Sequence, residues 1–206
     1  MEAASPCRWL RSGRVALLAA AGGWLLATVS LTAAARGTGK DTGQPARDDL
    51  AQVRPFELQL FDLINQEREQ RGVPPVKLSQ KLSGVARRHS QEMRDRKYMG
   101  HISPVAARRT PQKRFRASFG YEPYLIGENV ARREGTRWCL TADRIEKTHR
   151  DLMDSAHHRE NILRPEFEHV GIGIAVNESG HYWVTEVFVR QSAPEGQAGN
   201  QKAVKQ

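Results

Sequence analysis

The chain has 206 residues, 39% of them hydrophobic, with 32 Lys and Arg against 23 Asp and Glu and a formal net charge of +9. That length suits one packed domain with tails. The basic excess favours anionic surroundings such as acidic envelope polymers or lipid headgroups, but the cations are scattered and carry no RNA- or DNA-binding motif, so nucleic acid is not an expected partner.

At the N-terminus Arg8, Arg11 and Arg14 precede an apolar run over 15–31, and the small residues of "TAAARG" follow. This pattern predicts a cleaved export signal over 1–35, with an uncleaved N-terminal membrane anchor as the alternative. No Cys ends the run, which argues against a lipoprotein anchor. Cys7 lies in the signal, so Cys139 would be alone in the exported chain and no internal disulfide is expected. The location implied is extracytoplasmic, periplasmic or extracellular. Residues 36–54 read as a flexible linker, and 191–206 as a disordered tail. The domain is therefore placed at 55–190.

Pro55 suits a first helical turn, and Phe56, Leu60, Leu63 and Ile64 continue at helical spacing to Arg71, with Gly72 as the stop. "VPP" breaks the chain. Ser79 is placed to cap a second helix whose inner face carries Leu82, Val85, Ala86, His89 and Met93, and which ends at Gly100. His101 then opens a loop. Thr110 and Pro111 form a cap and a first-turn proline for a short helix through Phe115. The stretch 120–131, "GYEPYLIGENVA", reads as a loop, a brief extended piece and a helical turn at Glu128. Such a turn would offer the carboxylate its amide dipoles. Thr141 is placed to cap a fourth helix, and "SAHHRENIL" follows it. His157 and His158 are neighbours about 100° apart on a helix, so one is expected to face solvent.

The period then changes to two. Val170, Ile172, Ile174 and Val176 alternate with Gly171, Gly173 and Ala175, a strand whose second face is small enough for a close neighbour. "NESG" is a turn, and 182–189 is a second β-rich run. Helices first and a hairpin last imply an α+β fold with a small antiparallel sheet covered by helices.

Familiar catalytic patterns are missing. "HSQEM" and "HHREN" are not His-Glu-x-x-His, and there is no G-x-S-x-G elbow, Cys-x-x-Cys pair or phosphate loop. The ordered set "LINQERE", "LSQKLSGVARRHSQEM", "MGHISP", "GY", "IGENVA", "SAHHRENIL", "VGIGIA" and "YWVTEVF" does form a pattern. It resembles the superfamily of cysteine-rich secretory proteins, antigen 5 and plant pathogenesis-related proteins (the CAP superfamily), in its single-domain bacterial branch.

The resemblance implies a three-layer α-β-α sandwich and a cleft where a histidine and a glutamate from distant segments meet. It implies cleft residues His101, Glu128, His158, Ser155 and His181, with His157 standing where glycine is usual. The hairpin histidine of many members falls at Trp183, and the Trp of their fourth helix at Leu152. Some members bind a divalent ion, which implies His101, His158 and Glu128 as ligands for zinc. Two functions follow. One is a non-catalytic binding module for an envelope component, a lipid or a protein. The other is a zinc-assisted hydrolase with Glu128 as general base.

Overall fold

A computed structural model describes residues 47–135 and 140–192. These belong to the compact unit Pro45–Gln206. The expected signal at 1–35, most of the linker, Cys7, Cys139 and nearly all of the tail lie outside the described residues. None of the described helices is long and apolar enough to cross a membrane.

Helix α1 runs over Arg47–Gln70, so it begins inside the stretch expected to be linker and carries Pro55 in its interior. The proline leaves one carbonyl a turn earlier without its helical donor. The extra length still forms because Val53 is buried in the core. Asp, Gln and Arg around it are what the solvated face of a helix requires, and in composition that face looks like a linker.

Strand β1, Lys77–Leu78, leads into helix α2, Gln80–Arg96. Ser79 caps α2 as expected, its hydroxyl accepting from the Leu82 N–H. The helix stops before Gly100. Lys97 takes the left-handed conformation at φ 57°, and the Tyr98 N–H returns to the Met93 carbonyl at 3.0 Å. Helix α3, Pro111–Phe119, is capped by Thr110 and ended by Gly120 in the left-handed region. Strand β2, Leu125–Arg133, replaces the helical turn expected at Glu128. Helices α4, Ala142–Asp154, and α5, Ala156–Leu163, meet at Ser155. Strands β3, His169–Val176, and β4, Tyr182–Arg190, form the last hairpin.

The sheet order is β1-β3-β4-β2. β3 and β4 pair antiparallel, as do β2 and β4, while the two-residue β1 lies parallel to β3. The sheet is thus mixed. Both of its faces are covered, which completes a three-layer α-β-α sandwich of the α+β class. One face packs Val170, Ile172, Ile174, Val184 and Phe188 against α1, α4 and α5. On the other, Leu82, Ala86 and Phe115 from α2 and α3 meet Val187 and Val189. A Cβ at Gly171 or Gly173 would collide with the backbone of Leu82 or Arg87, so α2 lies directly on the glycine face of β3. The close neighbour expected there is α2. Ser90 fastens the contact by donating to the Gly173 carbonyl at 2.9 Å.

Arg68, fully buried at the end of α1, ties the loop after α1 to the end of α5 and the turn that follows it. Its guanidinium donates to the carbonyls of Pro74, Ile162, Arg164 and Phe167 at 2.7 to 3.3 Å. It thereby fixes the end of α5, the helix that carries His158. Burial pushes its pKa below the usual guanidinium value.

Candidate functional site

His101 sits in the loop between α2 and α3, and that loop is pinned at several points. Buried His89 of α2 donates from Nε2 to the Gly100 carbonyl at 3.0 Å. Arg114 of α3 donates to the His101 carbonyl at 3.1 Å, and Ser103 donates to Glu92 at 2.8 Å. The histidine is therefore held by its backbone, while its side chain remains 47% exposed. Its Nδ1 lies 3.0 Å from Glu128 Oε1. A carboxylate can only accept, so the proton belongs on Nδ1 and Nε2 is left for solvent or a ligand.

Glu128 is only 2% exposed on β2. Its counter-charge is not a helix dipole, because it stands in a strand. It is Arg114, itself 3% exposed, whose Nη2 donates to Oε1 at 2.8 Å and to Oε2 at 2.7 Å. Charge-assisted bonds of this kind are among the strong ones. His89 Nε2 approaches the same carboxylate at 3.8 Å. Burial, partly offset by Glu128, holds the His89 imidazole below its ordinary pKa.

α5 approaches from the opposite side of β2, where Gly127 allows the contact. A Cβ there would lie 2.5 Å from Asn161 Oδ1 and 2.8 Å from Phe167 Cζ. Asn161 donates to the Glu128 carbonyl at 3.3 Å and to Asn129 Oδ1 at 2.9 Å. Asn129 in turn donates to the His158 carbonyl at 3.1 Å and to Glu186 Oε2 at 3.0 Å. The Gly-Glu-Asn triplet thus joins a close approach, a charge and a bridging amide in consecutive residues.

Burial first, then His101, His157 and Arg133, push the His158 imidazole below its usual pKa. His157 faces solvent, as its adjacency to His158 implied. His101 and Glu128 are therefore in direct contact, and the backbone of His158 is tied to the same strand through Asn129.

Of the two other expected members, Ser155 stands one turn before His158 and His181 lies away from Glu128. Ser155 lies at the junction of α4 and α5, where its carbonyl accepts from the Arg159 N–H at 2.9 Å and its side chain makes no cap bond. His181 accepts at Nδ1 from the Gly135 N–H at 2.8 Å, at the far end of β2. It makes no hydrogen bond or ion pair with His101, Glu128 or His158. Trp183, at the position of the family's hairpin histidine, packs with Met93, Val130 and Tyr98.

The donor set fits a metal poorly. Both Glu128 oxygens already accept from Arg114, and a fixed guanidinium beside the site opposes a cation. Among the described residues no group of three or more His, Cys, Asp or Glu is placed to hold an ion. His101, His158 and Glu128 are therefore not placed as a three-ligand centre.

Arg114, His89, Asn129 and Asn161 are the functional neighbours that sequence reasoning missed. Arg114 is one of many basic residues, and no spacing rule links it to Glu128. Asn129, inside the quoted "GENVA", Asn161, inside "SAHHRENIL", and His89, inside "LSQKLSGVARRHSQEM", stood in the quoted motifs, but no sequence signal assigned them a role at the site.

A family model described as "Cysteine-rich secretory protein family" matches residues 61–189. The uncharacterized protein YkwD of Bacillus subtilis is 35% identical over 137 residues, covering 66% of this chain and 48% of that protein. The chain thus spans about half the length of this curated relative. An extracellular protein containing a SCP domain from Bacillus anthracis superposes with a TM-score of 0.55 at 27% identity, over 72% of this chain and 45% of that one. An outer surface protein from Borrelia burgdorferi superposes with a TM-score of 0.56 over 68% of this chain and 96% of that one. At 14% identity, this last likeness speaks for the fold alone.

Proposed function

The chain belongs to the cysteine-rich secretory protein (CAP) family, and from that premise we propose that it is an extracytoplasmic binding module whose His101–Glu128–His158 cleft recognises an envelope component, a lipid or a protein. Carrying the reading is a single arrangement: an exposed imidazole braced at Nδ1 by a buried, arginine-locked carboxylate. Arg114 and Glu128 neutralise one another and hold the His101 ring in one orientation. The outward Nε2 of His101 and the nearby α5 segment of His158 then present a polar recognition edge. The extracellular description of the Bacillus anthracis neighbour supports the location.

Hydrolysis is the weaker reading, because Glu128 is turned inward and its oxygens are engaged by Arg114 and His101.

Imidazole NMR signals of His101 and His158 would be followed while phosphatidylglycerol vesicles, peptidoglycan fragments or zinc chloride are added in turn. The expected result is that one envelope probe shifts both rings and that His101→Ala binds it at least tenfold more weakly. If no probe moves either ring, the cleft is not a recognition site. Ester or peptide hydrolysis that disappears in folded Glu128→Gln would replace binding with catalysis, and a shift seen with zinc alone would establish the metal reading.

A further inference from the structure

A second site lies further along the same sheet face. β2 carries Arg132 four residues beyond Glu128, about 13 Å at the usual strand rise. There a cavity of about 550 Å³ opens between the end of α2, the β3–β4 turn and β2. That volume is in the range of small-molecule sites. Its lining includes Arg94, Lys97, Arg132, Glu178, His181 and Trp183.

Lys97 marks the site. Among the described residues it is the only non-glycine with a positive φ, at 57°. As a helix cap alone, glycine would serve there without a Cβ penalty. Backbone strain of this kind collects where a side chain is needed for function. Among the described residues the Lys97 ammonium has no hydrogen bond or ion pair, whereas its neighbours are engaged. Arg94 donates to Asp95 at 2.7 Å and to the Val176 carbonyl at 3.2 Å. Arg132 lies over the Trp183 ring at 5.5 Å and stands 3.8 Å from Glu134.

His181 adds a directed donor. Because Nδ1 accepts from the Gly135 N–H, the neutral ring carries its proton on Nε2. Asn177 Oδ1 holds the turn in place by accepting from the Ser179 and His181 N–H groups at 3.1 and 2.9 Å. Exposed Glu178 supplies an acceptor, and Val176 and Trp183 supply a small apolar wall. A free cation, one fixed donor, one acceptor and a modest apolar surface match a ligand with an anionic group on a polyhydroxylated body.

We propose that this cavity binds an acidic saccharide, its carboxylate or phosphate held by Lys97 beside Arg132 and its hydroxyls by His181 and Glu178. The site is separate from the His101 cleft and does not depend on it.

Titration calorimetry of the full chain with glucuronate, glucose 6-phosphate, glucose and inorganic phosphate tests the assignment. Both acidic sugars are expected to bind, with glucose at least tenfold weaker. Lys97→Gly should lose at least tenfold in affinity while its Tm holds or rises, since glycine relaxes the left-handed backbone. His101→Ala should leave these titrations unchanged. Acidic sugars that ignore the wild type, or that bind Lys97→Gly equally well, overturn the site. Inorganic phosphate binding as tightly as glucose 6-phosphate overturns its saccharide character.

Discussion

Glu128 and Glu186 are two buried glutamates on adjacent strands, one register step apart, and they meet opposite fates. Glu128 pairs across the ladder with Val187, and Glu186 with Asn129, so their side chains leave opposite faces of the sheet. Glu128 looks toward α3 and finds Arg114 against both oxygens. Glu186 looks toward the apolar layer of α1, α4 and α5. It finds one neutral amide, Asn129 at 3.0 Å, and its Oε1 has no partner. Burial accordingly pushes the Glu186 pKa up to about 7. Burial alone therefore does not decide whether a carboxylate stays ionised; the presence of a cation within bonding distance does. A charged, clamped glutamate braces the recognition edge, and a proton-holding one ties β4 through Asn129 to α5.

Replacing the cation should produce the largest effect. Arg114→Leu strands the Glu128 charge and is expected to remove about 3–5 kcal/mol of stability, read from urea unfolding. Arg114→Leu/Glu128→Leu should recover much of that loss. If single and double variants are equally unstable, the contrast between the two glutamates is wrong.

Next comes the converse change. The folded chain holds the Glu186 proton above pH 4.5, where the unfolded chain releases it, so stability present below about 4.5 is lost as pH rises toward about 7. The loss is on the order of 3 kcal/mol once complete. Glu186→Gln should therefore match the wild type at pH 4 and exceed it at pH 8 by a similar amount. Equal stability of the two proteins across that range would mean that the Glu186 carboxylate has a compensating partner.

Gly127→Ala sharpens the comparison most gently, because it leaves both carboxyl groups in place and disturbs the amide bridge between their strands. Its Cβ would push Asn161 and Phe167, at a cost of about 1–3 kcal/mol. The His158 imidazole signal should move with α5, and a variant that loses stability while that signal stays put would uncouple the helix from the strand.

Much of the architecture was legible from local pattern. The period-two run at 170–176 announced a strand, and its glycines announced the close approach of what proved to be α2. Thr110–Pro111 and Ser79 marked helix starts correctly. The misreadings have physical causes. β2 was taken for a helical turn because "GENVA" is buried on both faces and so lacks alternation. α1 began early because a solvated helix face and a linker share a composition. The resemblance implies His101, Glu128, His158, Ser155 and His181 as cleft residues; the structure joins His101 to Glu128 and turns His181 to the Gly135 N–H, since parity on a strand says nothing about distance along it.

From the sequence alone came the class of fold, the periods of most of its helices and of its last strands, and the residues at which α2 and α3 start. These follow from steric and apolar preferences that act between near neighbours. The tertiary structure alone decided which glutamate has a cation, which imidazole is free, and where Lys97 meets Arg132 and His181. Coulomb energy and solvation depend on distance through space, and the chain brings together for those purposes residues that its order keeps apart.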